Sequence, residues 1–440
     1  MKTLQSKLNI QASYPLMTPH NWEDIIFFDI ETTGFSAYTS YLYLIGCMYY
    51  EDNTWQMTQW LADDMNSEVS MLEAFFQTLK SYKRLVHFNG SGFDIPFILQ
   101  KCKQHHLDYT FEDIENFDIY KKLIPFKKLL PLPNYKLKTI EKFVGINRED
   151  SYSGEDLIQI YANYLGRLQY EKLLQKNIPD KNIKPKASMI DSISRKETDH
   201  TKNLSAEELS RLFLLHNLED VKGLLKVSEI LFYADLFEKD IANVLFQEEN
   251  TVSPTQALTP DILINGDETI TSSVSFHFTL GNSLPQPVTL YTPLPSLLPE
   301  GTEDSNRSNH DFSLFLKLSE NRLTLTLPIY QGELKYFYDN YRDYFYLPKE
   351  DTAIHKSVAQ YVDKDFKVKA KPATCYSKKY GHYIPQAENL FTPYFKNSFA
   401  DKLTYFELSN PGLNEPDRFQ DYINSLLHFI LHNKGTQILT

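Results

Sequence analysis

The sequence predicts an α/β domain with a mixed sheet covered by helices, followed by a second domain of α+β type. Three observations lead there: a length of 440 residues, an alternation of strand and helix patterns from Ile25 to Leu231, and a change of pattern beyond Gln247. A chain this long exceeds the size at which one hydrophobic core keeps growing, so two domains are expected. Apolar residues at 42% and aromatic residues at 14% supply enough packing side chains to exclude a disordered protein.

The apolar run Ile25-Ile26-Phe27-Phe28 reads as a fully buried strand, and residues 41–50 as a second, joined to it through Thr32-Thr33-Gly34. Residues 71–79 carry apolar side chains at helical spacing, 84–88 read as a short strand and 95–102 as a helix. Strand and helix alternate, as in a mixed sheet flanked by helices. Residues 175–203 form a polar excursion with little periodicity. From 206 to 231 apolar residues recur every three or four positions, predicting one long amphipathic helix.

Beyond it, the Thr- and Pro-containing stretch 251–260 reads as linker. Phe312, Leu314, Leu316 and Leu318, then Leu323, Leu325 and Leu327, alternate around Ser319-Glu320-Asn321-Arg322 as in a half-buried hairpin. Residues 274–280 and 288–291 add strands, Asp351 is expected to cap a helix through Val362, and residues 417–432 form a closing amphipathic helix. The expected organisation is an N-terminal arm (1–23), an α/β domain (24–235), a linker (236–260) and an α+β domain (261–440).

The longest apolar stretch, 41–50, is too short to span a bilayer, and the first residues lack the apolar core of a signal peptide, so a cytoplasmic protein is expected. Cys47, Cys102 and Cys375 stand far apart without zinc-ligand spacing, which argues against a disulfide framework and a structural zinc site. A net charge of -12 argues against a protein that coats nucleic acid nonspecifically. A carboxylate centre that binds cations before a phosphate arrives is compatible with it.

Three motifs carry the chemistry. In Asp29-Ile30-Glu31, at the end of the first strand, the two-residue period sends both carboxylates to one face, where they can share a divalent cation. The same pattern also fits an ordinary polar strand end; the following Thr32 opens a turn whose backbone N–H groups can meet a substrate. In His87-Phe88-Asn89-Gly90-Ser91-Gly92-Phe93-Asp94, a strand runs through a glycine-containing turn into a helix, and Asp94 fits a helix cap or a carboxylate facing a metal. In His216-Asn217-Leu218-Glu219-Asp220, His216 and Asp220 share one helical face, as an exposed ion pair or as part of a site.

Taken together, Asp-x-Glu, then Asn-Gly-x-x-Phe-Asp, then a histidine four residues before a final Asp resembles the DEDD-type 3′–5′ exonucleases of the RNase H-like superfamily, especially the proofreading domains of family B DNA polymerases. Phe117-Asp118-Ile119-Tyr120, the lysine-rich segment after it and residues 151–164 look closer to the YprB-type predicted bacterial exonucleases. The resemblance covers about residues 24–235. It implies an RNase H-like mixed sheet and metal-dependent hydrolysis of single-stranded DNA or RNA from a 3′ end, with two Mg²⁺ or Mn²⁺ ions. Asp29, Glu31 and Asp220 would hold one ion, and Asp29, with Asp94 through water, the other. All-oxygen ligation points to Mg²⁺ or Mn²⁺ and away from Zn²⁺. Thr32, Asn89 and Phe93 are the expected substrate contacts, with Asp118 standing behind the ligands.

His216 departs from the pattern: family B proofreaders place Tyr in this motif, and the histidine subfamily spaces its His differently. An imidazole can take a proton from the attacking water near neutral pH, so His216 is expected to be the general base or to orient that water. Lysines interleaved with aromatics at 120–142 and again at 355–383 are candidates for tracking a single strand. A catalytically silent binding module and an internally cutting nuclease of the same fold are the alternatives. No motif separates DNA from RNA or names a protein partner.

Overall fold

The computed structural model describes residues 1–16, 21–64, 66–175, 204–236, 262–263, 271–280, 282–295, 297 and 312–439. The chain divides into two compact units, one of Met1–Pro125 with Leu132–Leu231 and one of Phe126–Pro131 with Phe232–Thr440. Most of the expected linker and most of the polar excursion lie outside the described residues. Among the described residues no helix is long and apolar enough to cross a membrane.

The first unit is a six-stranded mixed sheet with helices. Its strands are β1 (Lys2–Leu8), β2 (Ile25–Thr32), β3 (Leu42–Glu51), β4 (Thr54–Leu61), β5 (Arg84–His87) and β6 (Glu115–Asp118), in the order β1-β4-β3-β2-β5-β6. β2 runs parallel to β5 and β5 to β6, and the remaining pairs are antiparallel. Burial explains the unbroken apolar run of β2: Ile25, Ile26, Phe27 and Phe28 are at most 1% exposed. The helices are α1 (Ser67–Leu79), α2 (Asp94–Gln104), α3 (Ile119–Leu123), α4 (Leu137–Phe143), α5 (Gly154–Gln175) and α6 (Ala206–Val227). Phe28 on β2 meets Phe75 of α1, with ring centroids 5.5 Å apart. Asp29, one residue on, instead meets Asn217 of α6. The two-residue period of the strand thus divides packing from chemistry.

Sequence and structure differ at the β1 edge of this sheet and at the end of the long helix. Lys2–Leu8, within the expected arm, pairs with β4 as an edge strand. Its side chains are almost all exposed, so it carries no apolar alternation to read, and backbone pairing holds it in place. β4 itself, unread in the sequence, is set by pairing on both sides. The long helix starts as expected, on a capping box in which Ser205 and Glu208 satisfy each other's backbone N–H groups. It gives way at Ser228 to a 3₁₀ turn, followed by α7 (Leu231–Asp235).

Among the described residues the second unit is antiparallel throughout. Strands β7 (Ile262–Leu263), β8 (Thr271–Thr279), β9 (Val288–Pro293), β10 (Ser313–Ser319), β11 (Arg322–Pro328), β12 (Tyr330–Phe337), β13 (Tyr344–Leu347), β14 (Thr352–His355), β15 (Val368–Lys369), β16 (Tyr376–Gln386), β17 (Thr404–Glu407) and β18 (Gln437–Ile438) make three sheets, ordered β18-β9-β10-β11-β8-β7, β12-β16-β17 and β14-β13-β15. The leucine hairpin is β10–β11, its six alternating leucines at most 1% exposed. The closing helix spans Pro416–His432, with Phe419 and Tyr422 against Phe276.

The helix expected after Asp351 is absent, and this corrects the sequence reading. Asp351 sits at φ 50° in the β13–β14 turn, and only Lys356–Ala359 is helical. Its carboxylate accepts from the Tyr346 and Tyr376 hydroxyls and pairs with Lys378, so it is not free to cap a helix.

Candidate functional site

Strand β2 ends with a register shift between Glu31 and Thr32, which opens the sheet where its carboxylates emerge. Helix α6 crosses this end of the sheet and brings His216 and Asp220 to Glu31. One ligating atom from each of these three side chains lies within 4.8 Å of the others. His216 Nε2 stands 3.4 Å from Asp220 Oδ2 and 3.8 Å from Glu31 Oε1. All three side chains are at most 15% exposed.

Asp29 joins through Asn217, which donates to its carboxylate at 3.1 Å and its carbonyl at 3.3 Å. Gln59 of β4 in turn donates to the Asn217 oxygen at 2.9 Å. Close approach is possible because Gly46 lies opposite Asp29 on β3; a Cβ there would come within 2.0 Å of Asn217 Oδ1.

Asp94 is the first residue of α2, and Phe93 takes the cap position without a side-chain cap bond. The Asp94 carboxylate accepts from its own backbone N–H and from that of Ile30, between the two carboxylates of β2, and its charge contributes to the shifts of Asp29 and Glu31. Asp118 holds the turn before it, accepting from the backbone N–H groups of Asn89 at 2.9 Å and Ser91 at 3.3 Å while capping α3. That grip helps hold Asn89 at φ 59°. Thr32 donates its hydroxyl to the Gly34 carbonyl at 2.9 Å, shaping the turn beside Glu31. Phe93 meets the edge of Phe35, whose ring is 89% exposed.

A loop between α4 and α5 supplies what the motifs did not. Asp150 accepts from His216 Nδ1 at 2.6 Å. Arg148 forms an ion pair with Asp220 and donates to Glu141 at 2.6 and 2.7 Å. Glu219 of α6 accepts the backbone N–H groups of Glu149 and Asp150, both at 3.0 Å, and ties the loop to the helix. In sequence, Arg148-Glu149-Asp150 looks like a solvated charged turn, and Glu141 like a lone acid among lysines. Of the lysines at 120–142, all exposed, Lys138 is drawn to Asp150 at 3.3 Å.

The electrostatics follow from burial. Burial first, then repulsion from Asp220, Asp94 and Glu31, pushes Asp29 well above the usual carboxylate range. Burial also raises Glu31 to about 8, against the opposing pull of His216, and Asp94 to about 7. Burial would lower His216, but Asp220, Glu31 and Asp150 raise it to about 9. Burial would likewise raise Asp220, but His216 and Arg148 keep it below the ordinary value. Buried carboxylates such as Asp29, Glu31 and Asp94, which burial and mutual repulsion push above the usual range, are a donor set suited to a divalent cation. The cluster includes one nitrogen donor where the sequence reading had oxygen alone.

The profile of the RNase_H superfamily matches residues 26–178. No curated protein matches the chain. Among solved structures, the chain is similar to the family B DNA polymerase from the hyperthermophilic archaeon Pyrobaculum calidifontis, with 13% identity and a TM-score of 0.32, over 47% of this chain and 24% of that one. The likeness thus spans about a quarter of the polymerase. With its mixed sheet of six strands flanked by helices, the first unit is an RNase H-like domain.

Proposed function

We propose that this chain is a metal-dependent 3′–5′ exonuclease that hydrolyses phosphodiester bonds of single-stranded DNA or RNA. The observation that carries the reading is the convergence of Glu31, His216 and Asp220 within 4.8 Å at the open end of the strand that also bears Asp29. Asp29, Glu31, Asp94 and Asp220 are the carboxylates that would hold two divalent ions, Mg²⁺ or Mn²⁺. Such a pair, when bound, supplies charge to activate the attacking water and to stabilise the leaving oxygen.

The chain's own residues then have distinct tasks. Asn217 fixes the Asp29 carboxylate, and Arg148 holds one oxygen of Asp220 so that the other faces the cluster. His216 serves the water as base or orienter through Nε2, its Nδ1 being committed to Asp150. Acting as a base needs the ring neutral, which the carboxylates around it favour only once other positive charge has reached them. Phe35 and Phe93 offer ring faces for the terminal bases, and Thr32 and Asn89 flank the end of the strand.

Time-resolved digestion of 5′-labelled single-stranded DNA and RNA with Mg²⁺ or Mn²⁺ tests the reading, beside Asp29→Ala and His216→Ala. The expected result is a metal-dependent ladder shortening from the 3′ end and lost in Asp29→Ala. Strand binding without cleavage under either metal would favour the silent module, and cutting of a circular substrate the internal nuclease.

A further inference from the structure

We infer that His216 is itself a metal ligand, so that Glu31, Asp220 and the His216 imidazole form a mixed oxygen–nitrogen site for a first-row transition-metal dication, with Asp150 as the carboxylate behind the histidine. Two ligands each ~2.1 Å from one ion and at right angles stand about 3 Å apart. The distances of His216 Nε2 to Asp220 Oδ2 (3.4 Å) and Glu31 Oε1 (3.8 Å) fall within a few tenths of an ångström to one ångström of that geometry. The remaining features are those of a ligating histidine. A histidine that binds a metal through one nitrogen characteristically donates the other N–H to a carboxylate, which fixes the ring and strengthens the ligand. Here Asp150 Oδ2 accepts from Nδ1 at 2.6 Å, with its side chain 1% exposed, and Glu219 fixes its backbone. Arg148 occupies the far oxygen of Asp220 and leaves Oδ2 turned toward the imidazole.

The donor set carries a consequence for the metal. Mg²⁺ favours oxygen and keeps its waters, whereas imidazole favours transition ions, so this site selects Mn²⁺ or a later dication over Mg²⁺. An Nε2 committed to an ion cannot also take a proton or a hydrogen bond from water, so on this assignment His216 holds the ion and the role of base or water-orienter proposed for it falls away. The inference rests on the nuclease reading only for the place of this site in catalysis; the site itself can be tested without turnover.

The experiment loads the full chain with Mn²⁺ and looks for ¹⁴N modulation of the ion's electron spin echo, with Mn²⁺ and Mg²⁺ affinities measured by titration calorimetry. The expected result is a single-imidazole signal in the native chain, absent in His216→Gln. Asp150→Asn, which keeps the imidazole, is expected to weaken Mn²⁺ binding by roughly 10–100-fold and Mg²⁺ binding much less. Metal-free circular dichroism melts of both variants separate loss of a ligand from loss of the fold. Native Mn²⁺ affinity in His216→Gln, or no nitrogen signal in the native chain, overturns the inference. A nitrogen signal in a chain that cleaves no nucleic acid would sink the nuclease reading and leave the site standing.

Discussion

Asp150 Oδ2 and His216 Nδ1 lie 2.6 Å apart although 66 residues separate them in the chain. The pairing fixes the imidazole so that Nε2 faces Glu31 and Asp220, and it depends on a loop that Glu219 of the same helix holds by two backbone N–H groups. Helix α6 therefore carries two residues of the cluster and also the residue that anchors their support. Changes in this shell are expected to act through orientation and charge.

Asn217 and Gly46 are predicted to be coupled. Asn217→Ala removes the donor to Asp29 and is expected to lower metal affinity or turnover by roughly 10–100-fold. Gly46→Ala alone places a Cβ into the Asn217 amide and is expected to cost about 1–3 kcal/mol in chemical denaturation. In the double variant most of that loss is recovered; additive losses would contradict the contact.

Arg148 and Glu141 form a buried pair, their side chains 8% and 2% exposed. Arg148→Met leaves Glu141 buried and unpaired and is expected to destabilise the chain by about 3–5 kcal/mol, whereas Arg148→Met with Glu141→Leu restores much of it. Urea denaturation of the three proteins decides this. Equal stability of the single and double variants would rule out the pairing as the cause.

Metal removal is expected to make stability fall with rising pH. Asp29 is raised well above its ordinary value and Glu31 and Asp94 to about 8 and 7, chiefly by burial. His216 is raised to about 9, burial opposing and Asp220 with its neighbours prevailing. Each group binds its proton more tightly when folded, so its contribution is fully present below the unfolded value and is lost as pH rises through the folded one. The metal-free Tm should therefore drop from about pH 4, where the unfolded carboxylates ionise, to about pH 9, where folded His216 does. Saturating Mn²⁺, which binds the deprotonated carboxylates, should flatten the dependence. Calorimetric scans in chelator and in Mn²⁺ check it, and a metal-free Tm that climbs across this window would be the contrary result.

Phe35 is 89% exposed beside Phe93. If the pair receives terminal bases, Phe35→Ala should raise KM for a single strand by roughly 5–150-fold, the range given by ~1–3 kcal/mol for one stacked base, with kcat changed little. Steady-state kinetics on labelled oligonucleotides tests this, and an unchanged KM would remove Phe35 from the substrate path.

The sequence determined by itself the elements whose burial imposes a period. Strand β2, the leucine hairpin and α6 were legible because buried faces demand apolar residues at spacings of two or of three and four. It also marked Asp29, Glu31, His216 and Asp220, because strand and helix geometry make short spacings spatial. Tertiary structure alone decided the rest. Lys2–Leu8 is held by backbone pairing that leaves no mark on side chains, and the Asp351 carboxylate is claimed by tyrosines and a lysine rather than by a helix start. Arg148 and Asp150 act on partners about 70 residues away, as their ion pairs and hydrogen bonds show. No local period encodes such a contact: it forms only when the fold brings a polar loop against a buried helix face, and charges taken out of water must then find partners there.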